Sequence, residues 1–266
     1  NEHGYNALDD FYITNDIDLA IEVQDAGVDR VMVDLEILGK QDRQGHLNTV
    51  ISNHSMEDVR RIRSVLNTSR LLVRVNPINK HSKTEIDRVI GLGADIIMLP
   101  MFKSTLEVET FIRLVDGKAT TCLLLETKEA VTEIDNILLV PGIDEIHIGI
   151  NDLHLSMKLK FMFELLSNGA LEMLSKKIVG AGGVKFGFGG VANLGDGILE
   201  ASLILSEHIR LSSTMVILSR AFKDPDMDMS KEIEKIRIYL DEPKSTETLA
   251  ANQQLIYENI ATIVNR

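Results

Sequence analysis

Two acidic residues follow apolar runs in the stretches LLLET and IGINDL, namely Glu126 and Asp152. A site with only two carboxylates as ligands, no His or Cys, and room for waters suits Mg²⁺ or Mn²⁺ better than Zn²⁺, because hard divalent cations prefer oxygen ligands. The alternative is that acids at strand ends are solvated or cap the next helix, a role open to Asp152 before LHLSMKLKFMF. The pattern therefore offers a divalent-metal site with Glu126 and Asp152 as its two protein ligands.

An arginine interrupts another apolar run, in the stretch LLVRVNP, where Arg74 precedes Asn76 by two residues. A charged side chain in such a run is costly to bury without an anionic partner. The guanidinium fork matches a carboxylate, including one on a substrate. The alternative is a structural ion pair of Arg74 with Asp34 or Glu36, which come at the end of an earlier run. The residues alone do not decide between this ion pair and a substrate-binding role.

Histidines and glycines supply weaker candidates. His46 and His54 lie in the irregular stretch 39–55 and could serve as acid/base groups, with simple exposure as the alternative. His147 lies within a strand pattern and is better read as a core or interface histidine. The stretch KFGFGG could bind an anion through its backbone N–H groups, although glycines required for close packing are commoner.

The elements that must position these residues alternate between short apolar runs and segments of helical period. Because most runs are apolar nearly throughout, they predict strands covered on both faces. Eight strand-helix units in one chain of 266 residues favour a TIM barrel, an α/β fold, over a doubly wound open sheet. In a barrel the polar residues at the strand ends share the C-terminal rim, where active sites lie. The predicted strands are 11–14, 29–35, 70–76, 94–100, 121–126, 145–150, 184–189 and 214–219.

The chain divides into a barrel over residues 1–223 and a C-terminal helical extension over 224–266. Pro243 separates two helices in this extension. The second helix has an apolar face formed by Leu249, Ile256, Ile260 and Ile263, which needs a cover. Its own barrel or a neighbouring subunit could provide one.

Composition limits the partners. The formal net charge of −12 argues against nonspecific binding to nucleic acid or anionic lipid. No stretch approaches the roughly 20 apolar residues of a membrane span, and the first ten residues do not resemble a signal peptide. We therefore expect a cytoplasmic protein without nucleic-acid or membrane partners. The lone Cys122 is expected to pack in the core.

Taken in order, VMVDLE, LLVRVNP, IIMLPMF, LLLET and IHIGINDL resemble the HpcH/HpaI aldolase and citrate lyase β-subunit family, over about residues 11 to 222. The resemblance implies a modified TIM barrel that forms or cleaves a carbon–carbon bond through the enolate of pyruvate or of an acetyl thioester. It also implies a homo-oligomer, often with the C-terminal helix exchanged between subunits. The substrate would be a small oxo acid or hydroxy acid, with a thioester as the alternative.

The same resemblance assigns roles to individual residues. Glu126 and Asp152 would hold Mg²⁺ or Mn²⁺, and Arg74 would bind the carboxylate or carbonyl oxygen of the substrate. Glu36 would bind a metal-coordinated water, and Asp34 belongs to the same acidic motif. The substrate-binding group also includes two residues of the last motif, Gly149 and Asn151.

One position departs from the family pattern. Pyruvate aldolases of the family carry D-x-E-H and the citrate lyase branch carries D-x-E-D, whereas this chain reads Asp34-Leu35-Glu36-Ile37. An isoleucine transfers no proton, so the general base required for aldol cleavage would be His46, His54 or a metal-bound water. A catalytically silent barrel that binds a carboxylate or acts as an assembly subunit is the alternative. Phosphoryl or acyl-CoA chemistry is a third reading, with GFGG as its only anchor.

Overall fold

A computed structural model describes residues 8–38, 54–191, 197, 199–219 and 227–266. Within these residues, nine parallel strands form one sheet in the order β7-β6-β5-β4-β3-β2-β1-β9-β8. The strands are β1 Asp9–Ile13, β2 Arg30–Asp34, β3 Arg70–Arg74, β4 Ile96–Leu99, β5 Thr120–Leu125, β6 Glu145–Ile148, β7 Lys185–Phe188, β8 Gly190–Val191 and β9 Met215–Leu218.

Helices connect successive strands, as a parallel sheet requires, except at β7 and β8, which only Gly189 separates. Several begin at a Ser, Thr or Asp cap, such as Ser55, whose side chain accepts the N–H of Asp58. The helices are α1 Ile17–Asp25, α2 Met56–Val65, α3 Ser82–Gly91, α4 Thr105–Val115, α5 Lys128–Thr132, α6 Ile134–Ile137, α7 Ile150–Ser156, α8 Glu164–Ser167, α9 Ala170–Gly180, α10 Ala201–Arg210, α11 Met229–Asp241 and α12 Thr246–Val264.

The sheet curls into a nearly closed barrel, which confirms the predicted α/β TIM-barrel class. Its seam lies where the seventh strand bends at Gly189, whose φ is 56°, so that β7 pairs with β6 while β8 pairs with β9. The N–H of Thr214 donates to Phe186 O (2.7 Å) and the N–H of Ile217 donates to Gly189 O (3.1 Å) across the seam. Eight strands were predicted, and the added β8 is too short to leave a pattern in the sequence.

Alternate strand residues pack on the two faces of the sheet, which explains the continuous apolar runs. One buried cluster, which includes Phe11, Met32 and Leu72, fills the barrel interior. Cys122 is fully buried in it, as predicted. The outward residues form a larger core with the helices.

The interior also holds an ion pair that sequence analysis did not identify. The fully buried Arg30 donates to both carboxylate oxygens of Glu145 at 2.7 and 2.9 Å and to Asp9 at 3.0 Å. Burial alone would lower the pKa of Arg30, but these carboxylates outweigh it and raise the pKa above its ordinary value. Because Arg30 begins β2 and Glu145 begins β6, this charged cluster lies at the opposite end of the barrel from Arg74 and Glu126.

The C-terminal extension folds as two helices on either side of Pro243, as predicted. Helix α12 packs against α10 of the same chain, burying Ile256 and Ile260, and Asn252 Nδ2 donates to Ser206 Oγ at 3.1 Å. The division at residue 223 and the exchange of this helix between subunits stay predictions. In the described part of the chain, no helix is both long and apolar enough to cross a bilayer.

Candidate active site

A cavity of about 450 Å³ opens among residues at the C-terminal ends of the strands. Its polar lining includes Arg74, Glu126, Asn151, Asp152 and Ser219, together with His147 and four glycines. The other described lining residues are apolar and are called the apolar lining: Leu124, Ile150, Phe161, Met162, Phe163, Val191, Leu199 and Ile217.

Arg74 ends β3 beside Asp34, which ends β2 in register with it. Arg74 Nε donates to Asp34 Oδ1 at 2.8 Å, and Nη2 donates to Asp34 Oδ2. Glu36 Oε2 lies 4.0 Å from Arg74 Nε. Burial alone would lower the pKa of Arg74, but Asp34, Glu36 and Glu126 outweigh it and raise the pKa above its ordinary value. The structural ion pair considered from the sequence is therefore present.

The pair does not use all of the guanidinium. Among the described residues, no acceptor contacts Nη1 of Arg74, and the side chain lines the cavity. Asp34 fixes the plane of the group through two bonds, and Nη1 keeps two N–H donors. Ion pairing in the protein and recognition of a ligand carboxylate are thus compatible in one side chain.

Glu126 lies between the end of β5 and the first turn of α5. Thr127 caps that helix by accepting the N–H of Ala130 at 3.1 Å, and it donates to Phe102 O at 2.8 Å. The Glu126 side chain is only 3% exposed, and its Oε2 accepts the N–H of Met101 at 3.0 Å. The carboxylate is therefore held in a defined position beside the cavity.

Asp152 and two substrate-binding candidates follow β6. Asp152 is half-buried in the first turn of α7, and Asn151 is exposed. The N–H of Gly149 donates to Leu125 O at 2.9 Å within the sheet. A Cβ at this glycine would lie 3.0 Å from Glu126 Oε1. Gly149 thus contributes space for the Glu126 carboxylate, and its role toward a substrate stays a prediction.

The donor set fits a hard divalent cation. Glu126 and Asp152 line the same cavity and would hold the ion through carboxylate oxygens, leaving its other positions for water or substrate. No cluster of three or more His, Cys, Asp or Glu side chains suited to a metal occurs in the described ranges. A zinc site with three protein ligands therefore has no candidate there.

The three histidine candidates differ in placement. His54 comes directly before Ser55, the cap of α2, and accepts the N–H of Asp34 on Nδ1 at 2.8 Å, so it lies beside the acidic motif. It is not among the lining residues of the cavity. His46 lies outside the described residues. His147 is fully buried, as expected, and burial lowers its pKa to about 3.

The position that departs from the family motif is part of an ordered turn. The side chain of Ile37 is 57% exposed, and its N–H donates to Asn76 Oδ1 at 2.8 Å, as does that of Leu38 at 3.0 Å. Asn76 Nδ2 in turn donates to Glu85 Oε2 at 2.8 Å. Asn76, predicted at the rim, therefore holds the turn that follows the acidic motif.

Sequence reasoning missed the apolar lining. Phe161, Met162 and Phe163 lie between α7 and α8, outside every motif, and no spacing marks them as part of a site. They reach the cavity because the chain returns there after α7. Only the tertiary arrangement identifies them.

The family profile described as HpcH/HpaI aldolase/citrate lyase matches residues 11–165, which is more than half of the chain. The chain belongs to this family. Aldolases and citrate lyases are lyases, so membership supports a lyase-like function, and the family is generally dependent on a divalent metal. A comparison with curated proteins finds no match.

Solved structures agree in fold with this HpcH/HpaI family member. An HpcH/HpaI aldolase from Desulfitobacterium hafniense DCB-2 superimposes with a TM-score of 0.63 and 16% identity, covering 80% of this chain and 86% of the other. A family protein from Burkholderia cenocepacia J2315 superimposes with a TM-score of 0.62 and 15% identity, covering 88% of this chain and 94% of the other. A variant of the citrate synthase SbnG superimposes with a TM-score of 0.57 and 18% identity, covering 94% of this chain and 95% of the other. At these identities the likeness shows the fold alone.

Proposed function

We propose that this protein is a divalent-metal-dependent carbon–carbon lyase that forms or cleaves the bond beside a small oxo acid through an enolate. One observation carries the proposal: Arg74, Glu126 and Asp152 come from three different strand ends and line one cavity. The donor types suit an enolate, whose negative oxygen is stabilised by a cation and by N–H donors that are already in place.

Each residue has a defined task in this scheme. Glu126 and Asp152 hold Mg²⁺ or Mn²⁺, which when bound polarises the carbonyl oxygen of the oxo acid. Arg74 donates from Nη1 to the substrate carboxylate or carbonyl oxygen while Asp34 keeps the guanidinium in plane. Glu36, fully buried near Arg74, adds negative charge beside it and would bind a water of the metal.

Proton transfer is assigned to His54 or to a water molecule. In the structure His54 accepts a hydrogen bond on Nδ1, so in the neutral ring the proton is on Nε2. Exchange of partner at Nδ1 would be needed before that nitrogen could act as a base. Ile37 provides no proton acceptor, and His147, with a pKa of about 3, is too weak a base.

The test measures hydrogen–deuterium exchange at the methyl group of pyruvate by proton NMR. The exchange is measured once with Mg²⁺ or Mn²⁺ and again with EDTA. We expect metal-dependent exchange in the wild type and its loss in Glu126→Gln and Asp152→Asn. Glu129→Gln, an acid of α5 outside the cavity, is the matched control and should retain exchange. Metal-independent exchange, or exchange that survives both substitutions, would contradict the proposal.

A catalytically silent carboxylate-binding barrel is the second candidate. It is favoured by Ile37, which occupies the position of the family acid/base residue on an exposed turn. Calorimetric binding of pyruvate and Mn²⁺ without any exchange would favour this reading. An oxo-acid or hydroxy-acid ligand, a homo-oligomer and a cytoplasmic location without nucleic-acid or membrane partners belong to both candidates as proposals.

A further inference from the structure

The cavity is larger than a small oxo acid requires. Cavities of about 300–1,000 Å³ hold drug-sized ligands, and this one measures about 450 Å³. An oxo-acid group bound to Arg74 and to a metal held by the two carboxylates uses the charged lining, so the rest of a substrate faces mainly the apolar lining. The chemistry of these side chains indicates what the second half of the substrate carries.

Phe161, Met162 and Phe163 form an ordered part of this lining. The carboxylate of Glu164 accepts the N–H of Phe161 at 2.8 Å and that of Lys160 at 2.7 Å, which fixes the turn before α8. The rings of Phe161 and Phe163 pack edge to face, with their centroids 5.5 Å apart. Phe163 is 5% exposed, and the other two are half-buried. The apolar surface is therefore preorganised for a ligand.

The charges of the described lining disfavour a second anion. Arg74 is the one cation among these residues, and two of its nitrogens already bind Asp34. The acidic side chains of the described lining, Glu126 and Asp152, would hold the metal in the proposed function and provide no positive charge for a distal group. A distal carboxylate or phosphate would lose its hydration without gaining a cationic partner, and such an unpaired charge is costly. Asn151 and Ser219 provide neutral polar contacts only.

We infer that the electrophile joined to the enolate, or released from it, is an aldehyde with an uncharged apolar chain or ring. This inference rests on the proposed function. The cleaved compound is a 4-hydroxy-2-oxo acid in which carbon 4 carries the apolar group.

The step balances without a further reactant. The bond between carbons 3 and 4 breaks, and its electron pair forms the enolate. The hydroxyl on carbon 4 gives its proton to a base and becomes the aldehyde carbonyl. The enolate takes one proton at carbon 3, which yields pyruvate.

The experiment compares two adducts of equal size, those of pyruvate with hexanal and with succinic semialdehyde. Their groups on carbon 4 are pentyl and carboxyethyl, each with five heavy atoms. Pyruvate release with Mg²⁺ gives kcat/KM for each. We expect the pentyl compound to be favoured by about tenfold or more, since apolar pockets discriminate by such factors.

A charge introduced into the lining tests the assignment. Met162→Arg should lower kcat/KM for the pentyl compound by about tenfold and raise it for the carboxyethyl compound. Leu139→Arg makes a comparable change at a side chain that is 81% exposed and outside the cavity, and it should alter neither value. The wild-type comparison stands even where Met162→Arg does not fold.

The outcomes separate the inference from the proposed function. Absence of metal-dependent pyruvate exchange overturns both. Exchange with equal or better cleavage of the carboxyethyl compound, or with cleavage of neither, overturns the inference and leaves the enolate site standing. A folded Met162→Arg variant that behaves like Leu139→Arg overturns the role of the aromatic segment.

Discussion

At the scale of single residues, Arg74 shows how one side chain can form an ion pair within the protein and still keep N–H donors on a cavity. The carboxylate of Asp34 accepts hydrogen bonds from Nε and Nη2 of Arg74, and the Arg74 side chain keeps 14% of its surface exposed. A guanidinium permits this division because its five N–H donors point in fixed directions. An ammonium group has no comparable geometry.

Arg74→Lys should therefore weaken pyruvate binding in the presence of Mn²⁺ by at least about tenfold, because lysine keeps the charge but not the fork. Isothermal calorimetry measures the dissociation constant. Arg70→Lys is the matched control, since Arg70 starts the same strand, is exposed and lies outside the cavity. Equal losses in the two variants, or none in Arg74→Lys, would contradict the assigned contact.

At the scale of elements, the seventh strand determines how the barrel closes. Gly187 of β7 lies against β9, where an added Cβ would be 2.5 Å from Met215 Cβ and 2.8 Å from Met215 O. Part of this obstacle is backbone and cannot move without shifting β9. Gly187 of KFGFGG therefore has at least a packing function, which is the commoner of the two interpretations of the stretch.

Gly187→Ala should lower the free energy of unfolding by about 1–3 kcal/mol, because overpacking forces the strands apart. Urea unfolding monitored by circular dichroism measures the change. Gly180→Ala, in α9 with open space around the Cβ position, is the control and should be neutral or slightly stabilising. A neutral Gly187→Ala would show that the seam tolerates a side chain.

The last helix offers a second test at this scale. Ile256 is fully buried against the chain, whereas its neighbour Leu255 is 46% exposed. Ile256→Ala should lower the free energy of unfolding by about 2–4 kcal/mol, because burial is lost and a cavity is left behind. Leu255→Ala should lower it by less than about 1 kcal/mol.

If the helix is exchanged between subunits, the unfolding midpoint will also depend on protein concentration, as measured across a dilution series.

At the scale of the whole molecule, the C-terminal extension is tied to the N-terminal end of the barrel. Arg237 of α11 donates to Gly27 O at 2.7 Å and lies 3.3 Å from Asp10 and 3.4 Å from Asp29. The two aspartates also accept each other's backbone N–H, at 2.9 and 3.0 Å. Burial, followed by the charge of Asp29, raises the pKa of Asp10 to about 7.

A raised carboxyl pKa makes stability decrease as pH rises. Between pH 3.8, the ordinary pKa, and about pH 7, the unfolded chain releases the Asp10 proton while the folded protein retains it. The contribution of this proton to the free energy of unfolding is therefore full below that pH range and lost above it. Asp10→Asn should remove this dependence and be more stable than the wild type at pH 8 by about 1–3 kcal/mol, with no such gain at pH 4.

Urea unfolding of the two proteins at pH 4, 6 and 8 measures that difference, and taking the difference cancels groups that titrate equally in both. Asp95→Asn is a useful comparison, because Asp95 likewise accepts a backbone N–H at a strand start and pairs with an arginine. A gain that does not vary with pH would mean that Asp10 is ionised throughout.

Much of the site could be predicted because it depends on local pattern. A strand covered on both faces reads as an apolar run, and a polar residue at its end lies on the rim that all parallel strands share. The sequence therefore predicts that Asp34, Arg74, Glu126 and Asp152 lie close together, and the structure brings Arg74, Glu126 and Asp152 to one cavity. Their roles toward a metal and a substrate stay predictions.

Other features depend on residues that meet only in the folded chain. Arg30 and Glu145 are 115 positions apart, and Arg237 and Asp10 are 227 apart, so no periodicity connects them. The bend at Gly189 and the apolar lining from Phe161 to Phe163 likewise arise from barrel closure and from the path of the chain after α7. The strands, their shared rim and its charged residues are evident from the amino-acid sequence alone, because backbone direction and hydrophobic period are local properties. The seam, the buried ion pairs and the shape of the cavity are evident only in the folded chain, because they follow from packing between distant segments.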